Sequence, residues 1–316
     1  MTVTSGRRRP PRAAGSGGGA LLREWRQRRR RSQLDLALDT GISARHLSFV
    51  ETGRSQPSRG LLLALAEQLD VPLRERNALM LAAGYAPIYA ESDLESSQIE
   101  TAREALEHLL AGHEPYPAVV LDRWGDIVLS NRAVGPLLDG VDPDLLRPPI
   151  NVYRLSLHPD GIAPRIRNRA AWTTHLGHRL TRLVRLTGDS RLTELLEEIR
   201  TYPGVAEALD DHEPITGELL LTLQLAHPDG DLRLHSTVTS FGSPHDVTLS
   251  ELTVESFFPA DAHTREFLQR QSLPPAQGHV NDVFGGTDAT DVEGETVDSV
   301  EDALADAKRD RDDVQS

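Results

Sequence analysis

Residues 32–58 read SQLDLALDTGISARHLSFVETGRSQPS, and this stretch decides the fold of the first quarter of the chain. Ser32 is a helix N-cap, because its side-chain oxygen can take one of the backbone N–H groups that a first turn leaves unpaired. Gln33-Leu34-Asp35-Leu36-Ala37 opens a short helix behind it. Thr40-Gly41-Ile42 is a tight turn, and Gly41 can take positive φ because it has no Cβ. Ser43 caps a second helix over Ala44 to Glu51, which Gly53 ends. After the loop Arg54-Ser55-Gln56-Pro57, Ser58 caps a helix with Leu61, Leu62, Leu65 and Leu69 as its apolar face. Val71-Pro72 stops that helix, and Leu73 to Ala83 makes the fifth, counting one that starts near Leu21. Two short helices joined by about three residues form a helix-turn-helix.

That geometry has a chemistry. A helix whose first turn enters the major groove can place two or three side chains on base edges. Ser43, Ala44, Arg45 and His46 occupy that turn here, with Ser48 and Phe49 one turn on. Arg45 can donate two hydrogen bonds to guanine, and Ala44 or Phe49 can touch a thymine methyl. Gln33, at the start of the preceding helix, suits a phosphate contact. Arg26, Arg28, Arg29, Arg30, Arg31 and Arg54 supply phosphate-neutralising charge. The alternative is a small helical bundle with a solvated arginine face. Turn, caps and charge together favour double-stranded DNA as the partner.

Net charge first argues the other way, since the 316-residue chain carries −14. The charge is segregated, however: residues 1–90 carry +8, residues 91–270 carry −13 and residues 271–316 carry −9. This is an anion-binding head on a body that repels nucleic acid. The absence of cysteine excludes a disulfide framework, a Cys-based zinc site and a thiol nucleophile. No run of about 18 apolar residues suggests a membrane span. Arg7-Arg8-Arg9 is followed by Pro-Pro and a Gly/Ser stretch rather than an apolar core, which argues against an export signal and for the cytoplasm. Lys308 is the only lysine among 34 basic residues, the codon bias of a GC-rich genome.

The composition divides the chain into five parts. Residues 1–20 are a disordered basic arm, 21–90 the all-α five-helix head, 91–115 a linker helix, 116–270 an α+β domain and 271–316 a disordered acidic tail. In the α+β part, Ala118-Val119-Val120-Leu121 and Ile127-Val128-Leu129 flank the turn Arg123-Trp124-Gly125-Asp126, a hairpin. Asn131 to Tyr202 reads as helical, with Trp172, Leu176, Leu180 and Leu183 forming one buried stripe. Strands return at Leu219–Leu225 and Leu232–Ser240, where Leu232, Leu234 and Val238 alternate with Arg233, His235 and Thr237, and at Leu252–Phe257. The hairpin links favour an antiparallel sheet with helices on one face.

Ser32-Gln33, Gly41-Ile42-Ser43, Glu51-Thr52-Gly53-Arg54 and Pro57-Ser58 resemble the Cro/cI-type (XRE) helix-turn-helix repressors over about 65 residues. In that family the second helix reads bases, which implies that role for Arg45 and its neighbours, and Glu51 looks like the family's structural acid. Phe49 departs from the pattern, because many members have a polar residue there. Arg45 to Glu51, Asn151-Val152-Tyr153-Arg154-Leu155, His158-Pro159-Asp160-Gly161, Asp246-Val247-Thr248-Leu249 and Glu255 to Asp261 resemble a narrower branch, the MmyB-like regulators typical of actinobacteria. The resemblance implies a PAS-like domain from about Glu104 to Arg270 that holds a fatty-acid-like, largely apolar ligand. It implies no other cofactor.

An apolar cavity between sheet and helices is a common ligand location. Asn151, Arg154 and His158 are the candidate ligand-binding residues, and Arg154 can pair with a carboxylate head group. The competing reading is an internal ion pair at Arg154 and a plain turn at His158. His175 and His178 are three apart on a helix, but Arg179 and Arg182 would repel a metal cation, so two solvated histidines are expected. Asp246-Val247-Thr248-Leu249 looks like an Asx turn or cap. No nucleophile elbow, zinc-protease signature or phosphate loop occurs, so no enzyme activity is expected. The expected molecule is a homodimeric, ligand-responsive transcription regulator. The alternative is a DNA-binding interaction protein with a vestigial pocket that recruits a protein partner.

Overall fold

Three serine caps set the helices of the head. In the computed structural model, which describes residues 17–94, 96–97, 99–210, 221–241 and 246–271, the side chains of Ser32, Ser43 and Ser58 accept from the backbone N–H of Asp35, His46 and Leu61 at 3.1, 3.1 and 3.2 Å. They start α2 (Gln33–Asp39), α3 (Ala44–Glu51) and α4 (Arg59–Gln68), which lie between α1 (Gly18–Arg28) and α5 (Leu73–Ala82). Gly41 turns the chain from α2 into α3 at φ 69°. Leu22, Trp25, Leu36, Leu47, Val50, Leu62, Leu65 and Leu79 form the core. α1 begins before the expected boundary at residue 21. Its first turn is glycine because a Cβ on Gly19 would lie 2.1 Å from the Val50 carbonyl oxygen. The rest of the expected basic arm and the acidic tail beyond Gln271 lie outside the described residues.

One carboxylate joins three of these helices. Glu51, at the end of α3, is 5% exposed. Arg26 of α1 donates to it through Nε at 2.6 Å and a terminal nitrogen at 2.9 Å, and Gln33 of α2 donates through Nε2 at 2.7 Å. Donating to the Glu51 carboxylate raises the pKa of Arg26, so the guanidinium stays charged inside the protein.

The second unit is built on an antiparallel sheet of β1 (Ala118–Leu121), β2 (Ile127–Ser130), β3 (Thr222–Leu225), β4 (Leu232–Ser240) and β5 (Thr253–Pro259), in the order β2-β1-β5-β4-β3. Its helices are α6 (Glu100–His113), α7 (Val152–Leu157), α8 (Arg169–Thr187), α9 (Ser190–Arg200), α10 (Val205–Asp210) and α12 (Ala262–Gln271), apart from the first residues of α6 and the last of α8. α6 is therefore mostly a helix of this unit, not a free linker. Leu106 and Leu110 are buried, and the Leu110 carbonyl accepts from Asn131 at 3.2 Å. All four residues of β1 are buried, which explains its unbroken apolar run.

The middle of this unit is less helical than expected. Short 3₁₀ turns occupy Arg132–Leu137, Pro143–Leu146 and Ala163–Arg165, each containing a proline that lacks the donor a longer helix needs. Trp172, Leu176 and Leu180 are buried and Leu183 half-buried, the expected stripe on α8. The expected alternation along β4 stops early: Leu232 and Leu234 are buried, but Val238 is 52% exposed. The register explains this, since among the described residues β3 pairs only with Leu232 to His235 and only β5 accompanies β4 beyond it. β3 starts at Thr222, and the expected Leu219-Leu220 lie outside the described residues.

α11 (Val247–Glu251) lies between β4 and β5 in sequence but belongs to the unit that contains the head. Arg74 of α5 grips Glu251 with two bonds at 2.9 Å and also pairs with Glu91. Asp246 caps α11 through Leu249 N–H at 3.2 Å and accepts from Ser92 N–H at 3.1 Å, so it is a cap as expected.

Two outcomes follow from these ion pairs. Glu51→Gln keeps the size of the side chain but leaves Arg26 without its counter-charge, so urea unfolding should show a loss of about 3 kcal/mol; a loss below about 1 kcal/mol would contradict the anchoring role. Arg154 on α7 forks onto Glu198 on α9 with two bonds at 2.7 Å and holds that carboxyl below its ordinary pKa. A depressed carboxylate stabilises the fold above its unfolded pKa and loses that contribution as pH falls through the folded value. Acidification from about pH 5 to about pH 3 should therefore destabilise the native chain more than Glu198→Gln.

Candidate DNA-binding face and sensor site

The first turn of α3 presents its side chains outward. Arg45 and Ser43 are exposed, and Ala44, His46, Ser48 and Phe49 are half-buried. The inward face of the same helix is Leu47, Val50 and Glu51. Phe49 follows Arg45 by one turn, and the Arg45 guanidinium lies 5.4 Å from its ring centre. Arg54, from the loop after α3, stacks on the same ring at 5.9 Å. The phenylalanine is thus a ring shared by two cations, worth about 0.5–1 kcal/mol per exposed pair. Sequence reasoning offered Phe49 only as a thymine-methyl contact.

Four of the side chains expected at phosphates have partners within the protein. The Gln33 side chain donates to Glu51, so it ties α2 to α3. Arg26 is consumed by Glu51 and by the Arg31 carbonyl at 2.9 Å. Arg29 binds the Leu69 and Asp70 carbonyls at 2.8 and 2.9 Å, and Arg31 pairs with Asp39. Arg45 and Arg54, on α3 and in the loop after it, are exposed, and so are Arg28 and Arg30 at the end of α1.

The structure gives Asn151, Arg154 and His158 intramolecular partners. Asn151 caps α7, accepting from Tyr153 N–H at 3.1 Å, and its amide donates to Asp126 at 2.7 Å and the Trp124 carbonyl at 3.0 Å. Arg154 spends its fork on Glu198, which also accepts from Tyr202. His158 accepts from Asp160 N–H at 3.1 Å in a turn, and its ring packs edge-on against Tyr202 at 4.9 Å. Arg154 and His158 dock α7 on α9 and on Tyr202 just after it, Asn151 ties α7 to the β1–β2 turn, and Arg154 makes the internal ion pair that the competing reading named. The reason is local: α7 turns Tyr153, Leu155 and Leu157 into the core and leaves Arg154 37% exposed on the other side.

A more deeply buried polar group was missed. Arg179 of α8 donates to Glu255 of β5 at 2.8 Å, with the two side chains 22% and 7% exposed. Trp172, His175 and Arg179 recur at three- and four-residue spacing along one face of α8. Trp172 is 3% exposed, its ring lies 5.6 Å from that of His175, and its indole N–H has no partner among the described residues. Burial lowers the pKa of His175, with Arg179 adding to the effect, whereas His178 is exposed. Half-burial of His175 corrects the expectation of two solvated histidines. The signal available in the sequence was an acid, Glu255, inside a strand that also carries Val254, Phe257 and Phe258.

Comparison with known families matches both parts of the chain. Residues 22–76 match the helix-turn-helix family model, and residues 102–270, more than half of the chain, match the MmyB-like transcription regulator ligand binding domain. No curated protein matches the chain. Among the described residues, no helix is long and apolar enough to cross a membrane. A helix-turn-helix head that anchors its second helix from within, on one chain with that domain, makes this protein a member of the MmyB-like transcription regulators, DNA-binding proteins with a ligand-binding domain.

Proposed function

We propose that the protein is a cytoplasmic, homodimeric, sequence-specific regulator whose second domain is a PAS-like sensor of a small, fatty-acid-like apolar ligand. One observation carries the DNA half: α3 is fixed at its end by the buried Glu51 network and offers Arg45 at its exposed first turn. Arg45 reads a guanine edge, with Ser43, Ala44, His46 and Ser48 lining the same groove and Arg54 neutralising a phosphate. Phe49 aligns the two arginines. A dimer places two such helices about one turn of DNA apart. The sheet order β2-β1-β5-β4-β3, with helices inserted between β2 and β3, supports the PAS-like reading of the sensor. The protein acts by binding and carries no catalytic step.

Ligand control requires that the ligand favour one state of a two-state element. α11 supplies a route. Glu251 is gripped by Arg74 of the head unit, and four residues later Glu255 is paired with Arg179 in the sensor. A change in the strand start at Thr253 is therefore transmitted along the chain to the Arg74 contact.

Arg45→Ala should weaken binding to an operator selected from random sequence by about 1–3 kcal/mol and binding to unrelated DNA very little; equal losses on both would contradict base reading. Arg54→Ala should weaken both alike and flatten the slope of log affinity against log salt by about 0.9. Glu251→Gln should shrink the change in operator affinity that a saturating fatty acid such as decanoate produces, and an unchanged ratio would rule out the α11 route.

A further inference from the structure

Of the large apolar side chains on α3, Leu47 and Val50 are buried and Phe49 is only half-buried. Among the described residues, Phe49 is not part of the packed core of the head, whereas Ala44 at the start of the same helix packs on it. Two guanidinium groups neighbour the Phe49 ring instead, Arg45 at 5.4 Å and Arg54 at 5.9 Å from its centre. The backbone at Phe49 is held as well, because its carbonyl accepts from the N–H groups of Arg54 and Ser55 at 2.8 and 3.0 Å. The ring is therefore fixed beside the base-reading arginine without serving the core. Its remaining apolar surface leaves water only when a partner covers it.

The major groove limits what that partner is. Base edges present hydrogen-bond donors and acceptors there, and one apolar substituent, the 5-methyl group of thymine. 5-Methylcytosine carries the same methyl at the same ring position. Arg45 and Phe49 stand one helical turn apart, about 6 Å along the axis, and successive bases of a strand are about 3.4 Å apart. With the Arg45 fork on a guanine, the ring meets a base pair no more than two steps away. Ala44 is the rival for the methyl, but its side chain is already spent on the core.

We infer that α3 recognises a guanine together with a 5-methylpyrimidine within two base pairs of it, Arg45 taking the guanine and Phe49 the methyl group. The methyl is read from thymine or from 5-methylcytosine, so methylation of a cytosine at that position strengthens binding. This rests on the base-reading role proposed for Arg45 and adds the class of DNA that the head selects.

The test uses the full chain and the tightest-binding duplex selected from random sequence. Replacing each guanine by 7-deazaguanine, which lacks the N7 acceptor, locates the guanine that Arg45 contacts. Replacing each thymine within two base pairs of it by deoxyuracil, which lacks only the methyl, should weaken binding about fourfold at one position in each half-site, the worth of one methyl-sized group withdrawn from water. With cytosine paired to guanine at that position, methylation at C5 should strengthen binding by the same factor. Phe49→Ala should bring both ratios to about one. If that variant does not fold, the deoxyuracil scan of the native chain decides, and equal binding of thymine and deoxyuracil at every position overturns the proposal. A methyl effect that survives Phe49→Ala, or a selected duplex with no thymine within two base pairs of the guanine, also overturns it and leaves base reading by Arg45 standing. If no 7-deazaguanine weakens binding, both fall.

Discussion

The buried Glu51 carboxylate is the constraint on which the head depends. Its α3 contributes only eight residues, too few to be stable alone in water. Leu47 and Val50 bury one face of that helix, but apolar packing is tolerant of small rotations. The Glu51 bonds are not, because Arg26 reaches both carboxylate oxygens from α1 and Gln33 adds a bond from α2. The rotation of α3 about its axis is thereby fixed, and with it the direction of Arg45. Gly19 allows α1 the close approach that brings Arg26 within reach. The stability of the head and the aim of its reading helix thus rest on the same few atoms.

Much of the head was legible in the sequence because local rules decided it. Three serine caps, Gly41 and a leucine stripe define helices without reference to distant residues, and each is found where the sequence placed it. The failures in the head are tertiary. Arginines in a row look alike in sequence, yet Arg26 is turned inward by Glu51 and Arg45 is exposed. Phe49 reads as a base contact, and nothing in the sequence reveals that Arg54 returns to the same ring.

The sensor was legible as a class and illegible as a site. Apolar runs and turns gave the antiparallel strands, including the β1–β2 hairpin across Gly125 at φ 83°. The pairing of distant strands, such as β1 with β5, leaves no local signal. For the same reason the polar residues could not be sorted. Asn151, Arg154 and His158 stood close in sequence and invited a site, whereas their partners Asp126, Glu198 and Tyr202 lie 25 or more residues away. The buried pair of Arg179 and Glu255 is separated by 76 positions. α11 is a further case, since its sequence lies inside the ligand-binding match but its contacts are with α5 and the chain after it.

The central claim is that α3 reads bases through the major groove from the frame that Glu51 fixes. Methylation interference on the selected operator tests it most directly, because dimethyl sulfate modifies guanine at N7 in the major groove and adenine at N3 in the minor groove. The account predicts that N7 methylation of a guanine in each half-site abolishes binding and that adenine N3 methylation does not. Interference confined to adenine N3, or absent from every base, would contradict it.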